Sequence, residues 1–185
     1  NIDEFEEKIG VKGLLTDKKE MCRCIDDICK IMAKVYKKRP SISRSESVYN
    51  VNMIYPCLES MLTMMEGNEH KPYFIPGEDE LTAMTVQLRK MGCKVDKRRI
   101  YKADGIIRLA ELEDLEVLIL ETAGAFNVED HGKTAFDNSK GMFALLAMLK
   151  TIADHYKHAS VEEFKKLKLY FIQPSGKQYY KQSFI

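Results

Sequence analysis

Asp104 and Glu121 stand at the ends of two apolar runs, Tyr101-Lys-Ala-Asp-Gly-Ile-Ile-Arg-Leu109 and Glu116-Val-Leu-Ile-Leu-Glu-Thr122. The short acidic stretch Glu111-Leu-Glu-Asp114 joins the runs. An antiparallel hairpin turning near Leu112 and Glu113 would set the two carboxylates opposite each other across the ladder. Like charges so placed repel unless a cation or a proton sits between them. A divalent metal is the most economical reason to keep both, so these residues point first to metal-dependent chemistry. Period-2 alternation puts Asp104, Ile106 and Arg108 on one face, and Val117, Ile119 and Glu121 share a face of the second run. A Glu following four consecutive aliphatic residues suits the mouth of a site. The plainer readings are a strand-end carboxylate reaching solvent for Glu121 and an ordinary turn or bulge residue before Gly105 for Asp104.

The elements that must position these groups are legible from periodicity. Met21, Ile25, Ile28, Met32 and Val35 recur at helical spacing and predict an amphipathic helix over 16–38, ended by Pro40. A second helix is expected from Ser43–Ser45 to about Glu66, kinked at Pro56 and stopped by Gly67. Residues 71–76 predict a short strand, and residues 77–91 a third helix closed by Gly92. After the hairpin come a loop over 124–132 and a long helix from Thr134 to about His158. A last strand over 167–173 is ended by Pro174 and Ser175-Gly176. The fold class is therefore α/β. One domain over 1–185 is the simplest division, with residues 1–42 as an N-terminal helical extension and 43–175 as the core.

Composition narrows the class without naming a reaction. The 185 residues are 45% hydrophobic and 31% charged, enough for a packed core without disulfide staples. A formal net charge of +1 gives no global pull toward nucleic acid, so any such surface must be local. The local clusters are Lys37-Lys38-Arg39 with Arg44, and Lys94, Lys97-Arg98-Arg99 and Lys102 just ahead of Asp104. Either could hold a phosphodiester backbone or be a solvated charge run. The five cysteines (Cys22, Cys24, Cys29, Cys57, Cys93) are odd in number and lack zinc-knuckle or redox spacing. No secretory leader or apolar run of about 18 residues is present. Together these predict reduced thiols, no membrane span and an intracellular reducing compartment, nucleus or cytoplasm. The absence of an initial Met and the ending at Phe184-Ile185 suggest a piece of a larger parent chain.

Ala103-Asp104-Gly105 followed by Glu121-Thr122-Ala123 resembles the two halves of the site motif of the PD-(D/E)XK nuclease superfamily, over roughly residues 43–173. The Lys-Ala-Asp-Gly and Leu-Glu-Thr-x-Gly patterns are also similar to those of a fungal multigene group of proteins. The resemblance implies a restriction-endonuclease-like core: a helix, a three-stranded meander, a second helix and a fourth strand, here with an extra N-terminal helix. It further implies a nuclease in which Asp104 and Glu121 bind Mg or Mn, with the Thr122 carbonyl as a further hard-cation ligand. Ala123 stands where the family has Lys. In some members that role passes to the following helix, which makes Lys140 the candidate. Lys140 is the only charged residue between Ser139 and Leu149, in a helix apolar enough to be packed on more than one side. It also lies opposite the strongest apolar arc, as a snorkelling surface lysine would.

The superfamily's first helix often adds an acidic group. Glu46 is favoured over Glu59, although Ser43-Arg-Ser-Glu46 reads equally as a capping box. Gln173 at the end of the last strand and His131 in the loop are weaker candidates. Met61, Met64 and Met65 read as core filler. No phosphate-binding glycine loop, nucleophile elbow or His-Glu-x-x-His helix appears. The expected function is a metal-dependent phosphodiesterase acting on nucleic acid, DNA or RNA. The alternatives are a catalytically inactive nuclease-like domain that binds nucleic acid or protein, and an α/β scaffold whose apolar helix 141–149 packs on neighbours.

Overall fold

The structure is a computed structural model and describes residues 15–65, 69–96, 100–128, 130–175 and 178–184. Glu66, the expected stop at Gly67, the basic Lys97-Arg98-Arg99 stretch, Glu129, Gly176 and the two chain ends lie outside them. Helix α1 (Leu15–Lys38) leads into a bent helix made of α2 (Glu46–Tyr49), a π turn (Asn50–Ile54) and α3 (Tyr55–Thr63). Then follow β1 (Pro72–Glu80), α4 (Thr82–Lys90), β2 (Lys102–Leu109) and β3 (Leu115–Leu120). The chain closes with α5 (His131–His155), α6 (Val161–Phe164), β4 (Leu169–Ser175) and β5 (Gln178–Phe184).

The five strands form one sheet in chain order. Pairing is antiparallel except between β3 and β4, which run parallel and so require the long α5 crossover. The β2–β3 hairpin has the expected register, with Gly105 opposite Leu120 and Ile106 opposite Ile119. Its turn is tightened by Glu113 and Asp114, both in the left-handed region at φ 55° and 56°. Alternation then sorts the side chains. Ile106, Ile119 and Phe171 pack under Ala144, Leu145 and Met148 of α5. Leu120, with Phe74 and Ile172, packs against Tyr49, Met53, Ile54 and Leu58 of the bent helix. Each fully buried aliphatic side chain among these contributes about 1.5–3 kcal/mol.

Several expectations are corrected. The kink comes as a π turn just before Pro56, whose ring nitrogen cannot donate to the preceding turn; the Tyr55 N–H reaches back to Asn50. Strand β1 continues through Pro76 and Gly77 to Glu80 by way of a bulge, and the helix starts only at Thr82. The pleat absorbs the Pro-Gly pair because β1 is an edge strand with no ladder on its outer side. Gly92, at φ 79°, follows that helix in the expected left-handed conformation. Helix α5 starts at His131, three residues early, because Asp130 caps it by accepting the Lys133 N–H at 2.9 Å.

Strand β5 was not anticipated. On α1, Cys24 is the buried residue while Met21, Ile25 and Met32 are exposed, so the helix is rolled away from the expected stripe. Met61 and Met65 are exposed, against their reading as core filler. Helix α5 is covered on one side only: Phe136 (68%), Phe143 (66%) and Leu146 (58%) face outward. All five cysteines are free thiols, and among the described residues no helix is long and apolar enough to cross a membrane.

Candidate active site

The site sits where β2 begins and β3 and β4 end, beneath the first turns of α5. One residue beyond the Gly105–Leu120 pair, Asp104 and Glu121 come side by side. One step beyond the Leu120–Ile172 pair, Gln173 stands beside Glu121. The parity that sends Ile119 and Phe171 toward α5 sends Glu121 and Gln173 the same way, so a row of polar groups crosses three adjacent strands. The strands stay zipped to the row itself: Glu121 N donates to Ile172 O at 3.1 Å and Ala123 N to Pro174 O at 3.2 Å. Tyr55, from α3, pins the row from the other side by donating to the Asp104 carbonyl at 2.8 Å.

Glu121 is 4% exposed and its carboxylate is engaged on both oxygens. Lys140 Nζ lies 2.9 and 3.0 Å from them, and the Tyr101 hydroxyl donates to Oε1 at 2.7 Å. Lys140 also sits 4.5 Å from the Tyr101 ring centroid and donates to the Lys102 carbonyl at 3.2 Å. Burial pushes Glu121 up to about 7 against the opposing pull of Lys140 and Tyr101, and the charge of Asp104 adds to the rise. Burial likewise holds the Tyr101 phenol far above its usual range, with Glu121 reinforcing it, so Tyr101 remains a donor. Lys140 therefore points into the row.

Asp104 Oδ2 accepts the Thr122 N–H at 2.7 Å, and Thr122 Oγ1 donates to Asn50 at 2.8 Å, tying the π turn to the site. Glu46 is half-buried at the start of α2 and binds the Lys133 ammonium. The capping-box reading fails because Ser45, one residue before Glu46, is the cap and accepts the Val48 N–H at 3.3 Å. Glu59 and His131 are exposed. Gln173 is fully buried; its amide donates to Thr134 O at 3.1 Å, while its Oε1 has no partner.

Two residues absent from the sequence reading complete the arrangement. Lys133 donates to Glu46 and, at 3.2 Å, to the Thr122 carbonyl. Asp137 is 5% exposed; burial raises its pKa, Lys133 and Lys140 oppose the rise, and Asp104 and Glu46 add to it. The signal was the Lys133, Asp137, Lys140 spacing, which puts all three on one helix face.

Among the described residues no group of three or more His, Cys, Asp or Glu side chains forms a ready metal cage. Glu121, expected as a metal ligand with Asp104 and the Thr122 carbonyl, has both oxygens engaged by Lys140 and Tyr101, so the oxygens that remain for a hard cation are the Asp104 carboxylate, the Thr122 carbonyl and Glu46. Two of these, Glu46 and the Thr122 carbonyl, already bind an ammonium, that of Lys133. Four carboxylates (Glu46, Asp104, Glu121, Asp137) face two ammoniums, and burial favours the protonated form of Glu121 and Asp137, which lowers the negative charge the cluster carries. The Asp104, Glu46 and Thr122 oxygens are those that a hard cation such as Mg or Mn would have to use. Comparison with known protein families, curated proteins and solved structures finds no match for this chain.

Proposed function

We propose that the chain is a Mg- or Mn-dependent phosphodiesterase acting on nucleic acid, on a restriction-endonuclease-like core, in a reducing intracellular compartment. The observation that carries this reading is the row Asp104, Glu121, Gln173 across three strand ends, with the Lys140 ammonium brought to Glu121 from the crossover helix. Lys140 takes the place left by Ala123. Asp104, Glu46 and the Thr122 carbonyl would hold the ion, which supplies charge to polarise the scissile phosphate and acidify the attacking water.

The chain's own residues have separable tasks. Lys140, held against Glu121 by the crossover helix, would offset charge developing on the phosphate. Glu121, held near 7, is in the range suited to take a proton from the attacking water. Tyr101, locked as a donor, fixes the Glu121 carboxylate in orientation. Gln173 offers a buried acceptor.

The test is Mn- or Mg-dependent cleavage of single-stranded and duplex DNA and RNA. Asp104→Asn and Glu121→Gln should each lower it by about 100-fold or more while leaving the circular dichroism of the fold unchanged. Undiminished cleavage in both variants overturns the proposal. A second reading, a catalytically inactive nuclease-like module that binds nucleic acid or protein, is favoured by one observation: the Lys133 ammonium is seated among the oxygens that a metal needs. Titration with Mn separates the two. Thermal stabilisation that disappears in Asp104→Ala favours the enzyme, and its absence favours the module.

A further inference from the structure

The uncovered face of α5 borders the site. Phe136, Lys140 and Phe143 follow one another at spacings of four and three, so the site ammonium stands between two exposed rings on one helix face. Those rings are about 10 Å apart along the axis. Between α4 and α5 they line an open groove of about 760 Å³ that reaches Tyr101 at the site. The charged residues lining it are all lysines: Lys90, Lys140 and Lys150. Lys90 and Lys150 share the single Asp154 carboxylate at 2.6 and 3.2 Å, which leaves one positive charge over at that end.

Exposed aromatic rings alternating with ammoniums are the combination that holds an unpaired strand: base faces stack on rings and the backbone follows the cations. A duplex hides its base faces, so it could use the lysines but not the phenylalanines. We infer that this groove binds single-stranded nucleic acid, with bases on Phe136 and Phe143 and the backbone following the surplus charge of Lys90 and Lys150, since Lys140 is already paired with Glu121. The inference rests on the nuclease reading for its substrate class, and specifies which form of nucleic acid the same site takes. An aromatic, lysine-rimmed groove ending at a phosphodiester site is also where the flanking nucleotides of a bound strand must lie.

The experiment is fluorescence anisotropy in EDTA, where no cleavage occurs, with labelled 20-nucleotide oligo-dT, oligo-U and a duplex of the same length. The single strands should bind at least about tenfold more tightly than the duplex. Phe136→Ala and Phe143→Ala should each weaken single-strand binding by about tenfold, since both rings are exposed and their loss leaves the core intact. Lys150→Ala should reduce the salt dependence of binding. Duplex binding as tight as single-strand binding, or Phe variants that bind like the parent, overturns the inference. So does a concentration-dependent dimer in sedimentation velocity that Phe143→Ala abolishes with no oligonucleotide bound, which would make the groove a self-association surface. The nuclease reading is judged separately: a parent chain that binds the same oligonucleotide but does not cut it with Mn defeats that reading and leaves the groove assignment standing.

Discussion

Lys140 Nζ lies within 3.0 Å of both carboxylate oxygens of Glu121, across the gap between the crossover helix and the third strand. Glu121 is almost fully buried and the Lys140 side chain is 28% exposed, so each depends on the other for compensation. Lys140→Met removes the charge that holds the Glu121 carboxyl down, so Glu121 should take up a proton at neutral pH and the fold should lose about 1–3 kcal/mol. Adding Glu121→Gln should restore much of the loss. A double-mutant cycle in urea that shows simple additivity would refute the coupling.

Glu121 also sets a pH dependence in the metal-free protein. Its folded pKa, about 7, is above the unfolded value of 4.5, so the folded chain binds the proton more tightly between those limits. Stability from this group is fully present below about pH 4.5 and is lost as pH rises toward and through 7. The urea midpoint of the parent should fall over that window relative to Glu121→Gln. Parallel profiles for the two proteins would contradict the shift.

Lys133 binds Glu46 and the Thr122 carbonyl, so under the metal-dependent proposal it would compete with the ion for both. Lys133→Ala should therefore increase the Mn-induced rise in Tm compared with the parent. An equal or smaller rise would mean that the ammonium does not occupy the ion's position.

Gly141 of α5 packs directly on the Phe171 ring of β4. A Cβ there would meet the Phe171 ring at 2.6 Å. Gly141→Ala should cost about 1–3 kcal/mol through overpacking, despite alanine's better helix propensity. Because Lys140 is the next residue, cleavage should fall further than stability alone explains. A variant as stable as the parent would show that the helix can shift freely.

Away from the site, the buried Glu116 accepts the Thr82 and Ala83 N–H groups at 2.7 and 2.8 Å and binds Arg108 at 3.2 Å, capping α4 from a neighbouring strand. Glu116→Gln removes the charge at a helix N-terminus and the partner of Arg108, and should cost about 1–3 kcal/mol. Thermal unfolding of the variant measures it directly.

The hairpin and its register could be read from residues 101–122 because alternation and an acidic turn agree there. The same was true of α4's end at Gly92 and of the approach of Lys140, which a single charge in an apolar helix already marked. Less visible was what depends on contact across long separations. Lys133 and Asp137 look like ordinary surface charges until α2 brings Glu46, and the sheet Asp104, against them. The Ser45 cap displaced a capping box that had the right residue types but set the cap two residues early, at Ser43. Periodicity along α1 and α5 located apolar residues correctly but could not tell which of them a neighbour would cover, and both helices leave part of their apolar stripe outside.

Strand β1, with Pro72, Pro76 and a bulge, is one border of the sheet, and β5 is the other. Proline carries no amide hydrogen, so an incoming chain finds gaps in the row of donors it would need on the β1 side. Growth by strand addition, whether into ordered polymers or into amyloid-like aggregates, is thereby discouraged at one border and directed to the opposite one.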